Sequence, residues 1–110
     1  MIVLLFKSQL RADINAQEYQ ATRARMMDLV DKITGFVSYK TFRAEDGETL
    51  AIARFKSEEA LEAWRNHPEH VAVQRRGHEE FYESYWIQVC RTVRDYGWSR
   101  TEGRLTATTT

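Results

Sequence analysis

Residues 36–56 read FVSYKTFRAEDGETLAIARFK, and the organisation of the whole chain follows from this stretch. Phe36 to Ala44 and Thr49 to Lys56 both alternate in the way a strand does, with successive side chains directed to opposite faces. Asp46-Gly47 lies between them. Glycine adopts positive φ freely and aspartate tolerates it better than most residues, so the pair predicts a tight hairpin. A hairpin cannot bury its own apolar side, so the flanking segments must supply its cover.

Upstream, Met1 to Gln9 begins almost wholly apolar and turns polar at Lys7, Ser8 and Gln9, the pattern of a central strand buried on both faces. A helix start follows. Asn15 is placed to cap it and Glu18 to reach back in a capping-box arrangement, with Ile14 and Tyr19 as a hydrophobic staple. Tyr19, Met26, Met27, Val30 and Ile33 then recur at helical spacing, and Gly35 ends the segment. Downstream, Ser57 caps a second helix with Glu58 and Glu59 in its first turn, where the helix dipole favours negative charge. Ala60, Leu61 and Trp64 form its apolar side. Pro68 breaks it and suits the first turn of another helix, which Gly77 closes; two pieces are predicted, over 57–66 and 68–77. Tyr82 to Asp95 is the last predicted strand. One of its faces carries Tyr85, Ile87, Val89 and Val93, the other Trp86, Gln88 and Cys90. Strand, helix, strand, strand, broken helix, strand is the βαββαβ order of a ferredoxin-like α+β fold with a four-stranded antiparallel sheet. This domain is placed at 1–97, followed by a polar tail, 98–110, read as flexible or ordering only on a partner.

At 110 residues the chain suits one domain. Its 16 basic residues balance its 16 acidic ones, which argues against a nucleic-acid partner. The clusters Arg23 with Arg25 and Arg75 with Arg76 sit beside acids and read as solvated helix faces. No segment is long and apolar enough for a membrane, no signal peptide is evident, and a cytoplasmic location is expected. Cys90 is the only cysteine, so neither an internal disulfide nor a Cys-rich metal site can form; it reads as a small packed residue. Both faces of the strands are apolar, Ile2 and Leu4 alternating with Val3 and Leu5. Helices can cover only one face, so a homodimer through the open sheet face is expected.

The stretch ITGFVSYKTFRAEDGETLAIARFKSEEALEAWRNHPEHVAVQRRGHEEFYESYWIQVCRTVRDYG resembles the antibiotic biosynthesis monooxygenase domains of the dimeric α+β barrel superfamily. The matching points are Gly35-Phe36, Trp64 with His70 six residues on, Gln74, Gly77, and the closing Val93-Arg94-Asp95-Tyr96-Gly97; the pattern covers roughly residues 1–97. The resemblance implies homodimers with an apolar pocket between sheet and helices. Some such proteins oxidise polycyclic phenols or quinols with dioxygen and without metal or flavin; others bind and degrade haem. The haem-degrading members carry a histidine where this chain has Gln74 and an asparagine where it has Lys7, and both departures disfavour that branch. The implied activity is therefore a cofactor-independent monooxygenase acting on an electron-rich aromatic. A haem-binding or haem-degrading protein and a non-catalytic domain for a small hydrophobic metabolite are the alternatives.

Within that reading His70 is the expected proton carrier, since imidazole titrates in the useful range. Trp64 is the expected wall on which a planar ring stacks, and core packing is its other reading. His67, Met27 and Gln74 complete the expected substrate-binding set. His67 and His70 flank the Pro68 turn, so helix capping is an equally natural use of either. No metal or cofactor is expected, because His78 lies two turns from the other histidines and no third ligand stands near them. Arg54, in an otherwise apolar strand, is expected to pair with an acid or to emerge at a sheet end.

Overall fold

The computed structural model describes residues 1–106. Four strands, β1 (Ile2–Leu10), β2 (Phe36–Arg43), β3 (Thr49–Phe55) and β4 (Tyr82–Arg91), form one antiparallel sheet in the order β2-β3-β1-β4. This is the ferredoxin-like arrangement the element order predicts. The near-continuous apolar run of β1 fits its central place between β3 and β4.

Three helices, α1 (Ala16–Val30), α2 (Glu58–Arg65) and α3 (Pro68–Arg76), lie against one face. Cross-strand partners share a face, so Ile2, Leu4, Phe6 and Ser8 mark the helix side, together with Phe55, Ala53, Ala51 and Thr49 of β3. The core forms there: Ile2, Val30, Ala53, Phe55, Ala60 and Leu61 are buried together, with Leu4, Met27, Phe36, Tyr39 and Trp64 packed around them. The opposite face stays open. Its rows include Arg54, Val3 and Cys90, then Ile52, Leu5 and Gln88, then Leu50, Lys7 and Trp86.

The helix starts follow local chemistry. Asn15 Oδ1 accepts the Glu18 amide at 3.0 Å and Ser57 Oγ accepts the Ala60 amide at 3.1 Å. Glu18 does not reach back to its own cap as a capping box requires; its carboxylate takes Arg76 of α3 instead, at 2.6 Å. Arg25 likewise makes a two-pronged bond to Glu69, at 2.8 and 3.0 Å. The basic clusters thus tie α1 to α3 rather than only facing water.

Several expectations need correction. The Asp46-Gly47 hairpin is not among them: Gly47 takes φ 90° and donates its amide to the Ala44 carbonyl at 3.0 Å, and Asp46 accepts the Glu48 amide. Gly77 caps α3 where predicted, but in a right-handed conformation, so the chain runs on through a π-helical turn, Gly77–Phe81, into β4. β4 ends at Arg91, not Asp95. Regular structure then resumes at residue 96 and runs into the segment where a flexible tail was expected, as β5 (Tyr96–Ser99) and β6 (Gly103–Thr106), a separate two-stranded hairpin. Residues 107–110, the rest of that predicted tail, lie outside the described residues. Cys90 is exposed on the open face rather than packed, and Arg54 is exposed there too.

Candidate functional site

α2 and α3 meet at Pro68, and the bend sets Trp64 against His70. Their rings stack with centroids 4.0 Å apart and planes 15° from parallel. Pro68 occupies the first turn of α3, where its missing N–H costs nothing, and the chain reverses just enough for the side chain six residues after Trp64 to fold back over the indole.

The imidazole is held in one orientation. Its Nδ1 lies 3.1 Å from the Trp64 carbonyl oxygen. A carbonyl can only accept, so this nitrogen carries the proton and donates, leaving Nε2 as the basic nitrogen. Gln74 Nε2 lies 3.3 Å from the same Nδ1 and 3.1 Å from the Arg65 carbonyl. With Nδ1 already protonated, the Gln74 amide can donate only to Arg65, and it braces the α2–α3 bend. Burial pushes the His70 pKa below its ordinary value; the bond to the Trp64 carbonyl opposes this, and the neighbouring His67 adds to the lowering. His70 is therefore a neutral base at physiological pH, with its tautomer set by the backbone.

The other sequence-predicted residues divide in two. Met27 packs with Trp64 against the same core, on the side of α1 that faces the sheet. His67 is a helix cap: its Nδ1 accepts the Glu69 amide at 3.2 Å, and its ring lies 6.2 Å from Trp64. Trp64, His70 and Gln74 are thus brought into direct contact, while the nitrogen of His67 that faces the helix is used by the backbone.

A further feature was not legible in the sequence. On the helix side of the sheet β4 presents Tyr85, Ile87 and Val89, opposite Ser8, Phe6 and Leu4. The helices leave this margin bare: Ile87 is 48% exposed and Val89 55%. Glu58 at the start of α2 bonds Arg91 at one end of the strip. At the other end His78 stacks on Tyr85, with ring planes 2° apart, and its Nε2 is hydrogen-bonded to the Tyr85 hydroxyl. The start of α2 and the π-helical turn after α3 thus each touch one end of the strip. Tyr85 also touches Phe6 and Tyr82, which leads on to Tyr19, so the His78 end of the strip is continuous with an aromatic cluster. Tyr82 is half-buried there and its pKa is driven upward by desolvation, so it stays protonated. The alternation of Tyr85, Ile87 and Val89 was visible in the sequence, but which side of β4 the helices would leave bare was not.

Two clefts lie away from these residues. One of about 450 Å³ is lined by Arg94, Asp95, Tyr96 and Arg104 at the root of the β5–β6 hairpin. One of about 240 Å³ lies between the chain start, Lys56–Glu59 and Arg91. Neither touches Trp64 or His70. Among the described residues no three His, Cys, Asp or Glu side chains cluster so as to hold a metal ion, and no helix is long and apolar enough to cross a membrane.

The family description "antibiotic biosynthesis monooxygenase" matches residues 1–76, a span that holds both Trp64 and His70. The chain belongs to the antibiotic biosynthesis monooxygenase family. Membership agrees with the similarity to the Bacillus subtilis (strain 168) protein YqjZ, 32% identical over 80 residues that cover 73% of this chain and 70% of YqjZ. Solved structures of similar fold include Rv0793 from Mycobacterium tuberculosis, with TM-score 0.74, 19% identity, and coverage of 86% of this chain and 96% of that one. They also include SnoaB, a cofactor-independent oxygenase from Streptomyces nogalater, solved as its N63A mutant. It has TM-score 0.71 and 14% identity, and the match covers 86% of this chain and 94% of SnoaB. At these identities the two structures establish the fold. The points of resemblance at Gly77 and 93–97 fall beyond the matched span, whereas Gly35, Trp64, His70 and Gln74 fall inside it.

Proposed function

We propose that this family member is a cofactor-independent monooxygenase that oxidises an electron-rich aromatic, a quinol or polycyclic phenol, with dioxygen. One observation carries the reading: His70 is a neutral base of fixed tautomer stacked on Trp64 at the α2–α3 bend. Membership of the family supports it, as does the likeness in fold to a protein described as a cofactor-independent oxygenase.

The chemistry needs a dry aromatic surface and one proton carrier. A planar ring stacks on the Trp64–His70 pair and Met27 backs the wall. His70 Nε2 takes the phenolic proton. The phenolate passes one electron to dioxygen, giving a phenoxyl radical and superoxide, and these combine at a ring carbon as a peroxide anion. The imidazolium returns its proton to the peroxide. The O–O bond then breaks as the ring C–H proton is lost, so a phenol and one dioxygen yield a quinone and one water. The substrate supplies all the electrons, and the protein contributes position and proton transfer.

The working unit in this proposal is a homodimer joined through the open sheet face, where Phe42 is 47% and Trp86 66% exposed. Bare rings of that size on a sheet face favour cover by a second copy.

Oxygen uptake with a panel of anthrols and naphthols that keep a ring C–H para to the hydroxyl, under chelator, tests the activity. The wild type is expected to consume one dioxygen per quinone formed, and His70→Gln to lose about 10²-fold or more, the usual weight of general-base catalysis. Saturable binding of every panel member without uptake above autoxidation would instead make the site a binding pocket.

A further inference from the structure

Trp64 and His70 meet across the α2–α3 bend, yet the two helices are fastened to the molecule in different ways. α2 gives Ala60 and Leu61 to the core. α3 buries no side chain against the described residues, and Val71 at its centre is exposed. What fastens α3 is charge. Near its start Glu69 takes both prongs of Arg25; at its end Arg76 reaches Glu18 at 2.6 Å and the Thr22 hydroxyl at 3.2 Å. Glu69 and Arg76 are seven residues apart, as are Glu18 and Arg25. Seven residues make about two helical turns, so each pair of partners falls on one side of its helix. α3 therefore lies antiparallel along α1 with a clasp at either end.

Both clasps lie half-exposed at the surface. Ion pairs of that exposure hold weakly and weaken further with salt. Arg76 also bonds Glu80 and lies over the Phe81 ring, but both belong to the π-helical turn that continues α3. Each end of α3 is a place where helical bonding is interrupted. Pro68 breaks the backbone ladder between α2 and α3, and at the other end the π-helical turn leads to Phe81, which is buried and anchors the start of β4. Two side-chain bonds, His70 to the Trp64 carbonyl and Gln74 to the Arg65 carbonyl, join α3 to the last turn of α2. The helix so held carries His70, whose ring covers one face of the Trp64 indole at 4.0 Å. No other ring can lie on that face while α3 is seated.

We propose that Arg25 and Arg76 are positioning residues that seat α3 as a lid and so hold His70 on Trp64, and that the lid swings about Pro68 and the π-helical turn to bare the indole face to an aromatic ring. The lid stands on its clasps and hinges alone; that the ring is a phenol bound for oxidation rests on the function proposed above. Opening leaves the core intact, because the residues packed around Trp64 belong to α1, α2 and the sheet.

Native-state hydrogen exchange of the full chain, followed across a sodium chloride series, tests the clasps without any ligand. Exchange at the amides of 71–76 is expected to quicken about tenfold at high salt, and equally in Arg25→Gln/Arg76→Gln at low salt, the effect of losing two exposed ion pairs. The amides of α1 and α2 should keep their protection. Arg25→Lys/Arg76→Lys retains both charges and is expected to restore most of the protection; a role in packing alone would leave it no better than the Gln pair. In the Trp86→Phe/Trp98→Phe chain, acrylamide, an uncharged quencher, should reach Trp64 more readily over the same salt series. Exchange in α3 that ignores salt, exchange that occurs only together with α1 and α2, or a Lys pair that fails like the Gln pair would overturn the proposal. A naphthol, also uncharged, should then associate faster with the Gln pair than with the wild type, and an association rate that ignores the clasps would overturn the lid as the way in. A naphthol that binds neither chain, in a protein whose α3 responds to salt as expected, would count against the proposed aromatic site and leave the lid standing.

Discussion

Gly35→Ala is the perturbation whose outcome the geometry fixes most tightly. Gly35 joins α1 to β2 with φ 91°, and its carbonyl accepts the Lys56 amide at 2.7 Å. A Cβ built there would stand 2.8 Å from the Cβ of Ala60, a buried residue of α2. Two penalties follow. A left-handed backbone costs a residue bearing a Cβ about 1–2 kcal/mol. The forced contact costs about 1–3 kcal/mol more, because a Cβ cannot swing aside and the helix itself must move. The sum, about 2–5 kcal/mol, is a large part of the roughly 5–15 kcal/mol that holds a typical domain. Urea denaturation should show the midpoint falling by about 1–2 M with its slope unchanged. Ala60→Gly separates the two terms. Alone it costs roughly 1 kcal/mol for glycine in a helix, but in the double variant it removes the clash and leaves only the backbone strain. The cycle should therefore return about 1–3 kcal/mol of favourable coupling. Strictly additive losses, with coupling under ~0.5 kcal/mol, would refute the claim that the turn is packed hard against α2, the helix that carries Trp64.

Other consequences are simpler to state. The pKa of His70 is depressed in the folded state, so as pH falls the unfolded chain takes the proton first. The stability it contributes is complete above its ordinary value of 6.5 and is lost as pH drops through the window below it, down to the folded-state pKa. Urea midpoints between pH 5 and 7.5 should follow that slope in the wild type and flatten in His70→Gln; an unchanged slope would contradict the half-buried, neutral imidazole. Ser57→Ala should cost about 1 kcal/mol and Ser57→Gly only a few tenths, because the lost bond is the cap to the Ala60 amide; equal losses would mean that the hydroxyl contributes nothing as a cap.

What the sequence revealed, and what it hid, has a physical pattern. Local chemistry was legible: the alternating strands, the cap residues Asn15 and Ser57, the Pro68 break and the central character of β1 all report short-range preferences. The Trp64–His70 contact was legible as a spacing, but not as a stack, because the stack depends on how α3 turns away from α2 at Pro68. The π-helical turn at 77–81 was hidden, since one extra residue in a helix leaves no compositional mark. The bare β4 strip was hidden for a related reason. Alternation shows that two faces exist, while coverage depends on the length and bend of helices elsewhere in the chain. In the C-terminal segment, Tyr96 and Trp98 alternate for only four residues within a polar stretch, too short a run to register as a strand.

The claim at the centre of this account is that an aromatic ligand lies against Trp64 and His70. In the Trp86→Phe/Trp98→Phe chain, Trp64 is the only remaining indole, so its fluorescence reports that site alone. An anaerobic titration with an anthraquinol is predicted to quench it saturably at one ligand per chain, with His70→Ala weakening the binding. Emission that stays constant across the titration, in a chain shown to be folded, would contradict the account.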